Sequence, residues 1–447
     1  MKRERRRSEL LFKDITTVDE EFHLKEHMYV GVKDDRIVYV SEKMPEEDFG
    51  EVYAGKDRML IPAFYNAHSH LPMVLMRGYG ENLPLMEWLT GRIFPFEANL
   101  TGDDIYYGTL MGTAEMFRYG IGATSEMYIN QEPQARALIE SGAKANLSHS
   151  CTCMDNTSYY DLPVYQQTLD TIRQYDGYDH GRLHVEFALH AEYTSTEKVA
   201  KGIAEAAAEQ HSSMHVHVSE TQGEVDICRK RHQRRSPVRY LADCGIFDVP
   251  TVAAHCVHLD NEDIDILKEH NVTVATCPKS NAKLASGICP VVSLLEAGVN
   301  VAIGTDSVAS NNNLNMIEEM RFYNLLQKAV SYDPTLITPA ETLYAATRAG
   351  AVAQRRMDSG LIKEGFKADL TVLDTDKPYM KPNYNVLNNL IYSASGNDVV
   401  LTMVDGRICY CDGEYPTLDM ERVTYECEKS RLRILGKLEE TKIPDLE

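Results

Sequence analysis

Near the start of the chain, apolar and polar positions alternate with a period of two. Residues 28–33 (MYVGVK) and 36–40 (RIVYV) flank Asp34-Asp35, a pattern that predicts a β-hairpin. The last hundred residues echo it. Residues 368–373 (ADLTVL) and 399–404 (VVLTMV) read as strands, and Asp405-Gly406 then turns the chain into 407–410 (RICY). Two strand-rich ends around a longer middle predict one small β-sandwich domain made of residues 1–60 and 362–420. The charged stretch 421–440 reads as a closing helix, and 421–447 as a C-terminal helix or tail.

The middle of the chain, residues 61–361, has a different rhythm. Short apolar runs alternate with longer helical patterns such as 103–119, 199–210 and 316–329, the signature of βα units and a parallel sheet. Candidate strands end near His70, Tyr128, His149, His190, His217, His255, Cys277 and Asp306. Eight strands over about 240 residues match a (β/α)8 TIM barrel, so the expected fold class is α/β.

Composition narrows the choice. At 447 residues, with 43% hydrophobic and 25% charged, the chain is a globular mixture that can bury a large core without disulfide staples. The 46 basic against 67 acidic side chains leave a formal net charge of −21. That balance argues against a nucleic-acid backbone or an anionic membrane as the main partner. A nucleoside, which carries no phosphate, stays open. Ten cysteines include the Cys-x-Cys pairs Cys151/Cys153 and Cys409/Cys411 but no Cys-x-x-Cys, so a four-thiolate zinc ribbon is not expected. They read as buried or incidental thiols in a reducing cytosol. The basic run Met1 to Arg7 precedes no apolar signal-peptide core, and no stretch of about 18 apolar residues spans a membrane. A cytoplasmic location is the expectation.

The candidate chemistry collects at strand ends, where barrel active sites sit. Asn66-Ala67-His68-Ser69-His70 follows the apolar run 59–64. In a strand, residues i and i+2 share a face, so His68 and His70 can grip one metal from inside the barrel. His215-Val216-His217 is a second such pair. Period two puts both on one face and does not choose between them; His217 is favoured because it is nearer the strand end and Glu220. Asp306 closes the buried pattern 299–305. Three imidazoles and a carboxylate suit Zn2+, and also Fe2+ or Mn2+. An open position would hold a water acidified by the metal. Glu220 could shuttle protons, and His255, ending the run 250–254, could polarise the water or the leaving group.

Together these residues resemble the amidohydrolase superfamily. Within it, the chain is similar to deaminases of 5′-modified adenosines, the S-adenosylhomocysteine/5′-methylthioadenosine deaminase group. It also shares much with related chlorohydrolases and guanine-type deaminases. The resemblance runs from about residue 10 to 415. It is carried by 66–97 (NAHSHLPMVLMRGYGENLPLMEWLTGRIFPFE), 217–221 (HVSET), Ala254-His255-Cys256, 277–284 (CPKSNAKL), 304–312 (GTDSVASNN) and 390–399 (LIYSASGNDV).

The resemblance implies metal ligands at His68, His70, His217 and Asp306. It implies that Glu220 moves protons to and from the purine ring nitrogen, that His255 orients the water, and that Asp306 accepts the water's proton. It places His190 and Glu97 on the substrate, with Glu97 holding the ribose hydroxyls, and Trp88 in the segment capping the substrate mouth. The implied reaction is hydrolytic deamination of adenosine, 5′-deoxyadenosine or 5′-methylthioadenosine to an inosine-type product and ammonia. The alternative is deamination or dechlorination of a guanine, pterin or s-triazine. A homo-oligomer is the assembly common in this family.

Two departures bear on the substrate. Glu192 stands where the family usually has Pro. His149, in the substrate-binding position after the third strand, stands where homocysteine-accepting members carry Arg, and 151–163 offers no counterpart to a second Arg. An amino-acid carboxylate normally wants a bidentate Arg, so S-adenosylhomocysteine is the less expected substrate. Lys144, Arg77 and Arg92 are the candidate substitutes.

Overall fold

The computed structural model describes residues 9–440. The basic run Met1 to Arg7 and residues 441–447 of the expected tail lie outside the described residues. Two eight-stranded sheets form the molecule. The first is drawn from both chain ends. Its early strands are β1 (Glu9–Val18), β2 (Leu24–Lys33), β3 (Arg36–Ser41), β4 (Glu51–Ala54) and β5 (Arg58–Pro62). The second sheet is wholly parallel: β6 (Phe64–Ser69), β7 (Ile121–Tyr128), β8 (Lys144–Cys151), β9 (Leu183–Leu189), β10 (Met214–Val218), β11 (Thr251–His255), β12 (Thr273–Thr276) and β13 (Asn300–Ile303). Then β14 (Leu370–Asp374), β15 (Val399–Val404) and β16 (Arg407–Cys411) return to the first sheet.

The first sheet folds over at β1. One part of β1 pairs with β2 and β4, while Thr16 pairs with Met59 of β5, which in turn carries β14. The alternating apolar positions of the two halves therefore face each other: Phe12, Val30 and Ile37 share a core with Leu60, Val372 and Met403. The β2–β3 turn holds Asp34 at φ 53°, a left-handed conformation that Asp tolerates. The β15–β16 turn packs on it. A Cβ at Gly406 would lie 1.8 Å from the Asp34 carbonyl oxygen, so only glycine fits there.

The parallel strands close into a barrel. Ser69 bridges to Asp306, and the backbone N–H groups of Thr305 and Asp306 donate to the His68 carbonyl at 3.1 and 3.0 Å. Such strands are covered on both faces, and β7 is buried at every residue. The helices predicted over 103–119, 199–210 and 316–329 are observed as Gly102–Arg118, Glu197–Glu209 and Met316–Ser331. The closing helix is Met420–Glu440, which packs on Gly102–Arg118 through an Arg433–Asp104 ion pair and the Cys427 thiol, 3.4 Å from the Tyr107 carbonyl. Among the described residues no helix is long and apolar enough to cross a membrane. The ten cysteines are unpaired.

A buried ion cluster joins the two sheets. Lys144 Nζ lies 2.6 Å from both Asp369 and Asp405, and Arg182 is 3.1 Å from Asp405. Lys144 is the first residue of β8, at the end of the barrel away from the histidines. It is fully engaged there and is not a cation for a substrate carboxylate.

Candidate active site

His68 is the penultimate residue of β6 and His70 comes directly after the strand; His217 lies near the end of β10. The backbone fixes two of these rings. His70 donates its Nδ1–H to the Met127 carbonyl, and His217 donates its Nδ1–H to the His190 carbonyl at 2.6 Å. Both therefore present Nε2 inward, and the two Nε2 atoms are 3.4 Å apart. Asp306 splits its carboxylate. Oδ2 accepts from the Ser280 and Ser310 hydroxyls at 2.6 and 2.8 Å, leaving Oδ1 3.3 Å from His70 Nε2 and 3.7 Å from His68 Nε2.

These atoms converge within 4.8 Å of one another in the groups His68–His70–His217 and His68–His255–Asp306. His68 Nε2 is buried and has no hydrogen-bond partner. A buried polar atom without a partner is costly, and a cation at this point would remove the cost. Burial holds His68 and His217 well below the usual histidine pKa, in the neutral form that ligates. Burial alone would raise Asp306, but the His70 hydrogen bond and the charge of His255 outweigh it and keep the carboxyl ionised. The residues fit a divalent cation.

Glu220 and His255 stand beside this cluster. His255 donates Nδ1–H to Asn281 Oδ1 at 2.9 Å, which leaves Nε2 facing Glu220 Oε2 at 4.0 Å. Burial raises the Glu220 carboxyl above its ordinary value, His255 partly offsets this, and Ser286 Oγ donates to it at 3.2 Å. Four non-glycine residues at these strand ends hold positive φ: Ser219 at 49°, His255 at 71°, Cys256 at 49° and Asp306 at 57°. Backbone strain of this kind persists only where the surroundings enforce it.

Glu224 was not singled out from the sequence. Its buried carboxylate accepts from the backbone N–H of Ser219, Glu220 and Thr221 at 3.0, 2.7 and 3.5 Å, closing a capping box on the helix Gln222–Arg231. It pins the turn that carries Glu220. The spacing Thr221-x-x-Glu224 is a readable signal for it.

The cluster floors a cavity of about 410 Å³. Of the expected substrate-contacting residues, Glu97, His190 and Trp88 line it. Burial pushes Glu97 up to about 7, opposed by the neighbouring Tyr128 phenol and His70. Burial takes His190 down to about 4, and its Nδ1 lies 3.0 Å from Thr194 Oγ1. Tyr193 and Thr194, which the sequence did not single out, also line the wall. Glu192, the residue in place of Pro, is buried beside them. Both its oxygens take Arg231 at 2.7 Å and one takes His232 at 2.7 Å, tying this loop to the helix Gln222–Arg231.

His149 does not join the cavity. Strand β8 runs two residues past it, and the inward parity falls on Ser148 and Ser150, of which Ser150 lines the cavity. His149 faces outward among Gln131, Gln167, Thr171 and Tyr175, and burial lowers its pKa to about 4. Arg77 is held by Glu115 and the Asn312 carbonyl, and Arg92 lies 6.0 Å from the Tyr79 ring. No Lys or Arg lines the cavity among the described residues.

A metal centre at the C-terminal mouth of a parallel barrel, beside a sheet from both chain ends, defines a class. The sequence profile of the amidohydrolase family matches residues 59–409, and the chain belongs to that family. It is 40% identical over 403 residues to a 5-methylthioadenosine/S-adenosylhomocysteine deaminase of Dictyoglomus thermophilum, covering 90% of this chain and 94% of that one. It is 39% identical over 407 residues to a 5′-deoxyadenosine deaminase of Methanothermobacter thermautotrophicus, covering 91% and 95%. A zinc-bound crystal structure of an adenosine deaminase from Xanthomonas campestris superposes with a TM-score of 0.88 at 31% identity, covering 96% of this chain and 98% of that one.

Proposed function

We propose that this chain hydrolytically deaminates an adenine nucleoside with a small or apolar 5′ group, using one zinc ion. The observation that carries the reading is the convergent donor set beneath a cavity that has Glu220 beside the donors and Glu97 on its wall. His68, His70, His217 and Asp306 would hold the cation, and zinc suits three imidazoles with one carboxylate. When bound, the cation supplies Lewis-acid chemistry that makes water a nucleophile near neutral pH.

The side chains do the rest. Asp306 Oδ1, ionised and free of the serine hydroxyls, takes a proton from the attacking water. His255 orients that water through Nε2, with its tautomer set by Asn281. Glu220, its carboxyl raised by burial, gives a proton to the ring nitrogen beside C6 as C6 becomes tetrahedral. As the tetrahedral centre collapses, Asp306 passes its proton to the amine, which leaves as ammonia, and Glu220 takes back the C6 hydroxyl proton as the carbonyl forms. Water and nucleoside thus give the inosine-type product. Glu97 accepts from the ribose hydroxyls, His190 contacts the ring, and Trp88 closes the mouth.

The 5′ end would meet the apolar side of the cavity, which holds Leu85, Leu89 and Ile93 but no cation. Such a wall suits hydrogen, hydroxyl or methylthio and leaves a homocysteine carboxylate unpaired. Ammonia release from adenosine, 5′-deoxyadenosine, 5′-methylthioadenosine, S-adenosylhomocysteine and guanine tests this. The nucleosides with small 5′ groups should lead. Faster turnover of guanine would overturn the reading.

A further inference from the structure

The outer partners of the three imidazoles are not alike. His70 and His217 each donate Nδ1–H to a backbone carbonyl, a group that can only accept. The outer nitrogen of His68 instead meets a second imidazole: His68 Nδ1 is 2.9 Å from His215 Nε2. His215 lies two residues before His217 on β10 and points to the same interior, about 7 Å deeper along the strand. It is fully buried, and its Nδ1 has no hydrogen-bond partner.

A neutral imidazole carries one N–H and one lone pair. The contact between the two rings therefore has two arrangements. In one, His68 Nδ1–H donates to His215 Nε2, and His68 Nε2 keeps the lone pair that a cation needs. In the other, His215 Nε2–H donates to His68 Nδ1, the hydrogen of His68 sits on Nε2, and the ring cannot ligate. Resting on the metal centre proposed above, we propose that His215 is the positioning residue that sets the tautomer of His68 and so the metal affinity of the centre. His215 is itself no ligand. It supplies the acceptor that lets His68 hold its hydrogen on Nδ1, as the Met127 and His190 carbonyls do for the other two rings.

The test is zinc affinity, measured by competition with a chromophoric chelator on apo-protein and read apart from turnover. His215→Leu removes the acceptor and should weaken zinc binding about 10- to 100-fold. His215→Gln places an amide oxygen where Nε2 stood and should recover most of that loss. Zinc binding by His215→Leu as tight as in the unaltered chain would overturn the proposal. So would His215→Gln binding as weakly as His215→Leu.

If the leucine variant does not fold, imidazole 15N spectra of the zinc-loaded unaltered protein decide. Hydrogen on Nδ1 of both His68 and His215 is expected; hydrogen on His215 Nε2 would overturn the assignment. An unaltered chain that binds no divalent cation would sink the metal centre itself, and this proposal with it.

Discussion

At the floor of the cavity, β-strand backbone holds the polar side chains. His68, His217, His255 and Asp306 stand at or near the ends of four strands, and the His215 imidazole, a carbonyl, an amide and two hydroxyls take up their outer atoms. The roof is built otherwise. Residues 71–97 pass through a 3-10 turn Leu71–Met76, a short helix Leu85–Trp88, a wide turn Leu89–Ile93 and a second short helix Phe94–Glu97. They are pinned by ion pairs, Lys283 to Glu81 at 2.8 Å and Arg77 to Glu115, and by packing with Val423 and Ile434 of the closing helix. The floor is polar and tied to strand backbone, the roof apolar and anchored at a few points. On the function proposed above, the floor would carry the reaction and the roof the choice of substrate.

Glu220→Gln should divide the two most sharply. The amide keeps the shape of the side chain but cannot exchange a proton, so kcat should fall about 100- to 10,000-fold. Metal content, read by atomic absorption, should stay at the level of the unaltered protein. A variant retaining a tenth of the activity would break the division, because the floor would then not own the proton transfer.

Glu97 belongs to the roof and should act on the substrate, not on the chemistry. Removing a charge-assisted hydrogen bond costs about 1.5–3 kcal/mol, so Glu97→Ala should lower kcat/KM for a nucleoside roughly 10- to 100-fold. Free adenine, which has no ribose, should be little affected. The same residue gives a pH signature. Its carboxyl is pushed up to about 7 by burial, so the accepting, ionised form is lost as pH falls through that value. Below it, kcat/KM for nucleosides should drop about tenfold per pH unit. Glu97→Gln should flatten that limb, and a limb that survives the change would detach Glu97 from the ribose.

A smaller effect is expected where a cation is added to the apolar side. Met154 lines the cavity and is 64% exposed. Met154→Arg should raise kcat/KM for S-adenosylhomocysteine relative to 5′-methylthioadenosine by about fivefold, the scale of an exposed ion pair. No change in that ratio would mean that the missing guanidinium is not what sets the choice of 5′ group.

The floor was largely legible in the chain and the roof was not, for physical reasons. Parallel strands buried on both faces leave continuous apolar runs, and a polar residue at the end of such a run marks the mouth of the barrel. That is how His68, His70, His217, His255 and Asp306 could be placed near one another before any coordinates. Strand period could not separate His215 from His217, since both face inward; depth along the strand separates them. The roof follows no period, so Glu97 and Trp88 were reachable only through family resemblance. Lys144 was misread because Asp369 and Asp405, its partners, lie more than two hundred residues further along the chain. Glu192 was noticed only as a departure, because its partners Arg231 and His232 come from the C-terminal end of the helix Gln222–Arg231, some forty residues further along the chain.

His149 gives the finest test of where the floor ends. From sequence it sat at the end of the third strand, level with the other histidines. Cys151, apolar in character, extends β8 beyond it, and the alternation then turns the His149 ring away from the cavity. Its neighbours Gln167, Thr171 and Tyr175 belong to the helix Pro163–Tyr175, so its loss should be felt as packing. His149→Ala should lower the melting temperature by only about 1 °C, as a lost buried contact of about 1 kcal/mol does in a chain of this size. The kcat/KM values for 5′-methylthioadenosine and for S-adenosylhomocysteine should both stay within about twofold of the unaltered enzyme, the ±0.5 kcal/mol of a residue outside the site. A fall confined to one substrate would return His149 to the cavity and move the boundary between floor and outer wall inward by one strand position.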